Sequence, residues 1–98
     1  MALMLLTSTS AVAQFPDDVR LERFPDASTT FEQPIAIRAP DDDSGRIFIV
    51  ERCGTIRIVD KDGTVRAKPF LSVDTRCDNE YGLLGMALHP RYASNGLF

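Results

Sequence analysis

From Ile35 to Val59 the apolar residues keep a strand rhythm, near two residues per repeat, and that period restricts what the chain can fold into. Arg46-Ile47-Phe48-Ile49-Val50-Glu51 is a β-branched and aromatic run, bounded by Asp, Ser and Gly before it and by Cys53-Gly54 after it. Thr55-Ile56-Arg57-Ile58-Val59 alternates cleanly, and Asp60-Lys61-Asp62-Gly63 carries the residues of a hairpin turn, with Gly63 free to take a positive φ. Residues 64–73 contain a further strand, with Pro69 at its edge or in a bulge because proline cannot donate to a ladder. These signals predict strands over 34–38, 46–51 and 55–60 and one ending near Val73, arranged as an antiparallel meander, with a fifth over 83–88. No segment has helical periodicity.

The fifth strand can be laid over the first. Ile35-Ala36-Ile37 matches Met86-Ala87-Leu88, Ser44-Gly45 matches Asn95-Gly96, and Ile47 matches Phe98, all at an offset of 51 positions. A four-stranded unit repeating at that interval is the pattern of β-propeller blades. The closing Asn95-Gly96-Leu97-Phe98 then reads as a turn opening a new strand, so the 98 residues are expected to be a piece of a larger fold. In such a meander successive connections alternate between the two ends of the strands. Glu80 and His89 therefore fall at opposite ends, while Cys53 and Cys77 gather at the Glu80 end.

The N-terminus reads separately. Ala2-Leu3-Met4-Leu5-Leu6, a Thr/Ser stretch and then Ala11-Val12-Ala13 form an apolar run and a small-x-small cleavage pattern, though without a preceding Lys or Arg. Residues 1–13 are expected to be a signal peptide and 14–33 a lead-in to the sheet, with export to the periplasm or beyond. The apolar run is too short to span a bilayer. In an oxidising compartment Cys53 and Cys77 are a disulfide candidate, worth roughly 3 kcal/mol through loop entropy if unstrained. With 26% charged residues, a net charge of −3 and scattered Lys and Arg, the chain has no basic patch for nucleic acid.

Few residues carry chemistry. Glu80 is the one titratable site candidate, because Gly82 two positions on lets a ligand or another backbone approach closely. His89 has no visible orienting partner or nucleophile and reads as a turn residue before Pro90. Asp41-Asp42-Asp43-Ser44-Gly45 lacks the spacing and the later bidentate Glu of a calcium loop and reads as a polar hairpin loop. No zinc motif, phosphate loop or nucleophile elbow is present.

Arg46-Ile47-Phe48-Ile49-Val50-Glu51-Arg52, Gly54-Thr55-Ile56-Arg57-Ile58-Val59, Asp62-Gly63-Thr64-Val65 and Pro69-Phe70-Leu71 are followed by Glu80-Tyr81-Gly82-Leu83-Leu84-Gly85-Met86-Ala87-Leu88-His89-Pro90-Arg91-Tyr92. In this order they resemble the N-terminal region of the soluble quinoprotein glucose/sorbosone dehydrogenases, over residues 34–98. The resemblance implies a six-bladed β-propeller of which this all-β chain holds the first blade and the start of the second. It implies pyrroloquinoline quinone (PQQ) and calcium near the propeller axis, oxidation of aldose sugars or related alcohols, and transfer to an external electron acceptor. The family's catalytic histidine, calcium ligands and basic quinone-binding residues lie beyond Phe98, so no catalytic or metal residue is assigned here, and the fragment alone is expected to be inactive. His89 matches the family's histidine-proline turn. Glu80, Tyr81 and Gly82 fall at the substrate and cofactor cavity, where Tyr81 departs from the usual Gln or Asn and bears on which sugars fit. A second branch of the superfamily, animal proteins that bind signalling proteins, implies the alternative of a non-catalytic binding propeller.

Overall fold

The computed structural model describes residues 16–25 and 28–98, so the expected signal peptide over residues 1–13 lies outside the described residues. Strands β1 (Pro34–Arg38), β2 (Ile47–Glu51), β3 (Thr55–Val59) and β4 (Leu71–Ser72) form one antiparallel sheet in chain order. The described residues before Pro34 form no helix or strand. Among the described residues no helix is long and apolar enough to cross a membrane.

The meander follows from the turns. At the β3–β4 connection the Asp60 N–H donates to Thr64 O (2.8 Å) and the Gly63 N–H to Asp60 O (2.9 Å), with Gly63 at φ 89°. β4 is shorter than the sequence suggests, and Pro69 sits where it breaks. Val65 bridges Val59 and the Arg66 N–H reaches Ile58 O, but the next donor to β3 is Phe70, to Ile56 O. Between the Val59–Val65 and Ile56–Leu71 pairs, two residues of β3 are thus faced by five of the partner, an irregularity that contains a residue with no N–H to give.

The two-residue period sorts the side chains. Phe48 faces Ile58 and Val50 faces Ile56 across the β2–β3 ladder, and all four are buried on one side of the sheet. Met86 and Tyr92 close this core, with Ala36, Phe70, Leu71, Leu83 and Leu88 packed around it. Phe48, with no exposed surface, packs its ring 4.5 Å from that of Phe70 and 6.2 Å from the edge-on ring of Tyr92. On the opposite side, Phe31, Pro34, Ile35, Ile37 and Ile49 line a shallow apolar hollow of about 380 Å³.

The expected fifth strand is not formed. Residues 83–88 make no ladder; they cross the Phe48 face of the sheet, touching its polar groups near their two ends. At one end the Leu83 N–H donates to Arg52 O (2.7 Å), and at the other Met86 O accepts from Arg38 Nε (2.8 Å). Lacking a neighbouring strand among the described residues, the segment contributes its apolar side chains to the core and leaves most of its backbone unladdered. The expected strand-opening turn at 95–96 is also different. Tyr92–Asn95 form a single helical turn, α1, too short to show a period in sequence, and it ends at Gly96 in the left-handed conformation with its N–H on Tyr92 O (2.8 Å).

The repeat is visible in hydrogen bonds where it is not visible in strands. Ser44 Oγ accepts from the Arg46 N–H (3.3 Å) across Gly45 at φ 68°, and Asn95 Oδ1 accepts from the Leu97 N–H (3.0 Å) across Gly96 at φ 64°. The same side-chain bracket therefore recurs at the offset of 51 positions.

Phe48→Ala removes a fully buried ring with two aromatic neighbours. It is expected to destabilise the full-length protein by about 3–5 kcal/mol in chemical denaturation. A loss below about 1 kcal/mol would place Phe48 outside the core.

Candidate functional site

The turn between β2 and β3, residues 52–54, and the connection leaving β4 meet at one end of the sheet. Cys53 and Cys77 are joined there by a disulfide, with Cα atoms 4.9 Å apart and a sequence separation of 24. Arg52, beside Cys53, binds the same connection by backbone and side chain. Its guanidinium donates to Cys77 O and to Asn79 O (3.2 Å), its carbonyl accepts from the Leu83 N–H, and its own N–H reaches Gln33 O (3.1 Å). The segment 77–83 is therefore fastened to one turn at both of its ends.

Gly82 permits this fastening. At φ 150°, a β-carbon added to it would lie 2.6 Å from Arg52 O and 2.5 Å from Arg52 Cγ. The close approach that sequence reasoning anticipated is thus to the Arg52 backbone. Between the fastened ends the chain makes a tight turn, the Tyr81 N–H donating to Asp78 O (2.9 Å), with Asn79 at φ 50°, a conformation asparagine tolerates better than most residues.

Glu80 and Tyr81 stand exposed on this turn. Arg76 Nε and Nη2 donate to the two carboxylate oxygens of Asp78 (3.1 and 2.7 Å), and the same guanidinium lies over the Tyr81 ring, 4.2 Å from its centroid. The hydrogen bond from Arg76, with the Arg52 charge behind it, holds the Asp78 carboxyl below its ordinary range. Glu80, Tyr81 and Gly82 are together with both cysteines, as the alternation of connections predicts. Sequence reasoning missed Arg52, Arg76 and Asp78; the one signal for Arg52 was its place beside Cys53.

His89 lies at the other end, beyond the Met86–Arg38 contact. Its Nδ1 accepts from the Arg91 N–H (3.0 Å) and contacts Asn95 Nδ2 (2.9 Å), and its backbone N–H donates to Leu97 O (3.0 Å). Asn95 Oδ1 is already engaged by Leu97, which fixes the amide so that Nδ2 faces the imidazole. His89 is a turn-forming residue.

The sequence profile described as glucose / sorbosone dehydrogenase matches residues 31–98, which include the whole sheet and the Glu80 turn. The chain belongs to this family. Hedgehog-interacting protein of Homo sapiens is 33% identical over 70 residues, covering 65% of this chain and 10% of that protein, and its Mus musculus counterpart gives the same figures. The chain spans about a tenth of the length of these curated relatives. No solved structure matches it.

Three outcomes test this member of the family. Replacing both cysteines with alanine is expected to cost about 3 kcal/mol of stability, and a reducing agent should lower the wild-type denaturation midpoint toward that of the double variant while leaving the double variant unmoved. Gly82→Ala is expected to push the turn off Arg52, seen as faster amide exchange at Leu83 with the β2–β3 ladder still protected. Because the Asp78 carboxyl titrates lower folded than unfolded, its contribution is present above the unfolded value and is lost as pH falls through the folded one. An NMR titration should place its midpoint below that of an unfolded-chain aspartate, and Arg76→Ala should return it upward.

Proposed function

We propose that this chain is the N-terminal portion of an exported PQQ-dependent sugar dehydrogenase, periplasmic or secreted, that oxidises aldose sugars or related alcohols with hydride transfer to the quinone. Residues 1–13 are its signal peptide, 14–33 a lead-in, and 34–98 the first blade and the start of the second blade of a six-bladed β-propeller. The observation that carries this is the family match over residues 31–98, with the Glu80 turn inside it. The sheet adds support. It is apolar on both sides, and one side is covered by the chain segment that follows it, as blades stacked face to face around an axis require. A disulfide at the Glu80 end suits an oxidising compartment.

In this proposal Glu80, Tyr81 and Gly82 border the cavity that takes sugar and cofactor. The Glu80 carboxylate accepts a hydrogen bond from a sugar hydroxyl, and the turn's two fastenings fix where it stands. Among the described residues no three His, Cys, Asp or Glu side chains are grouped to hold a metal ion. This stretch does not by itself form a calcium cage. PQQ, calcium and an external electron acceptor are the expected companions of the full-length protein.

A second reading has its own observation. The curated relatives carry the name Hedgehog-interacting protein, a binding role, and one fold supports both binding and catalysis. The alternative is a non-catalytic propeller that binds a protein partner through the same end of the sheet.

One assay separates the two: aldose-dependent dye reduction by the full-length protein, with and without PQQ and calcium. Sugar-dependent turnover that disappears when the quinone is omitted is the expected result. A folded protein whose dye reduction ignores both sugar and quinone would leave the binding propeller standing.

A further inference from the structure

The described residues contain two tyrosines, used in opposite ways. Tyr92 is 9% exposed and closes the core, whereas Tyr81 keeps 54% of its surface in solvent at the tip of the turn beside Glu80. An exposed aromatic ring is common, but this one is held in place. The Arg76 guanidinium covers it 4.2 Å from the centroid and is itself gripped through two bonds by Asp78, whose carbonyl accepts the Tyr81 N–H. Arg52 fixes the backbone on both sides of the ring. A rigid aromatic surface binds with little ordering cost, because its freedom was lost on folding.

We propose that Tyr81 is the specificity-determining contact of this turn, a stacking platform for the C–H face of an aldose ring while Glu80 accepts a hydroxyl hydrogen. This inference rests on the sugar-dehydrogenase reading above. A pyranose is amphipathic in the matching sense, with C–H bonds on its faces and hydroxyls around its rim, so a ring next to a carboxylate meets both parts. Charge narrows the ligand class further. Arg52 and Arg76 balance Asp78 and Glu80 on and around the turn, which favours a neutral polyol over a cation or an anion. Residue 81 discriminates among sugars by the C–H surface each presents, and a small polar side chain there would lack that selection.

The test is steady-state kinetics of the full-length protein, loaded with PQQ and calcium, on D-glucose, comparing wild type with Tyr81→Ala and Tyr81→Phe. Tyr81→Ala is expected to raise KM about tenfold with kcat within twofold, the mark of lost binding common to ground and transition states, and Tyr81→Phe should stay near wild type. An unchanged KM in Tyr81→Ala, in an enzyme that turns over, overturns the platform and leaves the dehydrogenase reading intact. If the wild type shows no sugar-dependent turnover, it is the dehydrogenase reading that fails. Direct titration with D-glucose without quinone then decides the platform: binding lost in Tyr81→Ala and kept in Tyr81→Phe supports it, and no binding to wild type overturns it.

Discussion

The double attachment of residues 77–83 to the β2–β3 turn is the constraint on which the rest of this end of the molecule depends. The chain leaves the β4 ladder after the Val73 N–H bonds to Gly54 O and has no regular structure until α1. Unfastened, such a length would place Glu80 anywhere within its reach, since each ordered residue costs about 1–2 kcal/mol of backbone entropy. Arg52 and Cys53 remove that freedom at neighbouring positions of one short turn. The disulfide restricts the unfolded chain, while the Arg52 bonds to Cys77, Asn79 and Leu83 act only in the folded state. A covalent bond alone would leave the turn free to pivot about Cys77. The guanidinium fork and the Gly82 contact stop that rotation.

The same attachment sets the course of the chain across the sheet. From Arg52 at one end to Arg38 at the other, residues 83–88 are stretched over the face that carries Phe48, Val50, Ile56 and Ile58. Two arginines thus hold the covering segment by its backbone, and Met86, Leu83 and Leu88 supply the apolar contact. Direction and burial are separable here: polar anchors fix where the segment runs, and hydrophobic contact makes it stay.

The strands were legible in the sequence because alternation and turn chemistry act locally. β2 lies between Ser44-Gly45 and Cys53-Gly54 and β3 between Cys53-Gly54 and Asp60, and the gathering of Cys53 and Cys77 at the Glu80 end followed from counting connections. What sequence reasoning missed was mostly non-local. Residues 83–88 have strand composition, but a strand needs a ladder partner and composition cannot supply one. Arg52 looked like any surface arginine, because its importance lies in three carbonyl and amide groups some 25–31 positions later in the chain, and backbone groups leave no trace in residue identity. The Arg76–Asp78 fork is local, but its residues are ordinary charges in the sequence until the turn brings the Arg76 guanidinium over Tyr81.

The repeat separates scaffold from site. At the His89 end the offset of 51 positions reproduces a side-chain-to-backbone bracket, Ser44 with Arg46 and Asn95 with Leu97, each across a left-handed glycine. At the Glu80 end the same offset sets Glu80, Tyr81 and Gly82 against Thr29, Thr30 and Phe31, with neither the carboxylate nor the glycine retained. A repeated unit needs its strand-end geometry each time it recurs, so those residues are constrained together. A ligand cavity needs each element to present something different to one bound molecule. Residues 80–82 lie inside a turn held by a disulfide and an arginine, so the part of the chain that departs from the repeat is also the part fixed in place by non-local bonds.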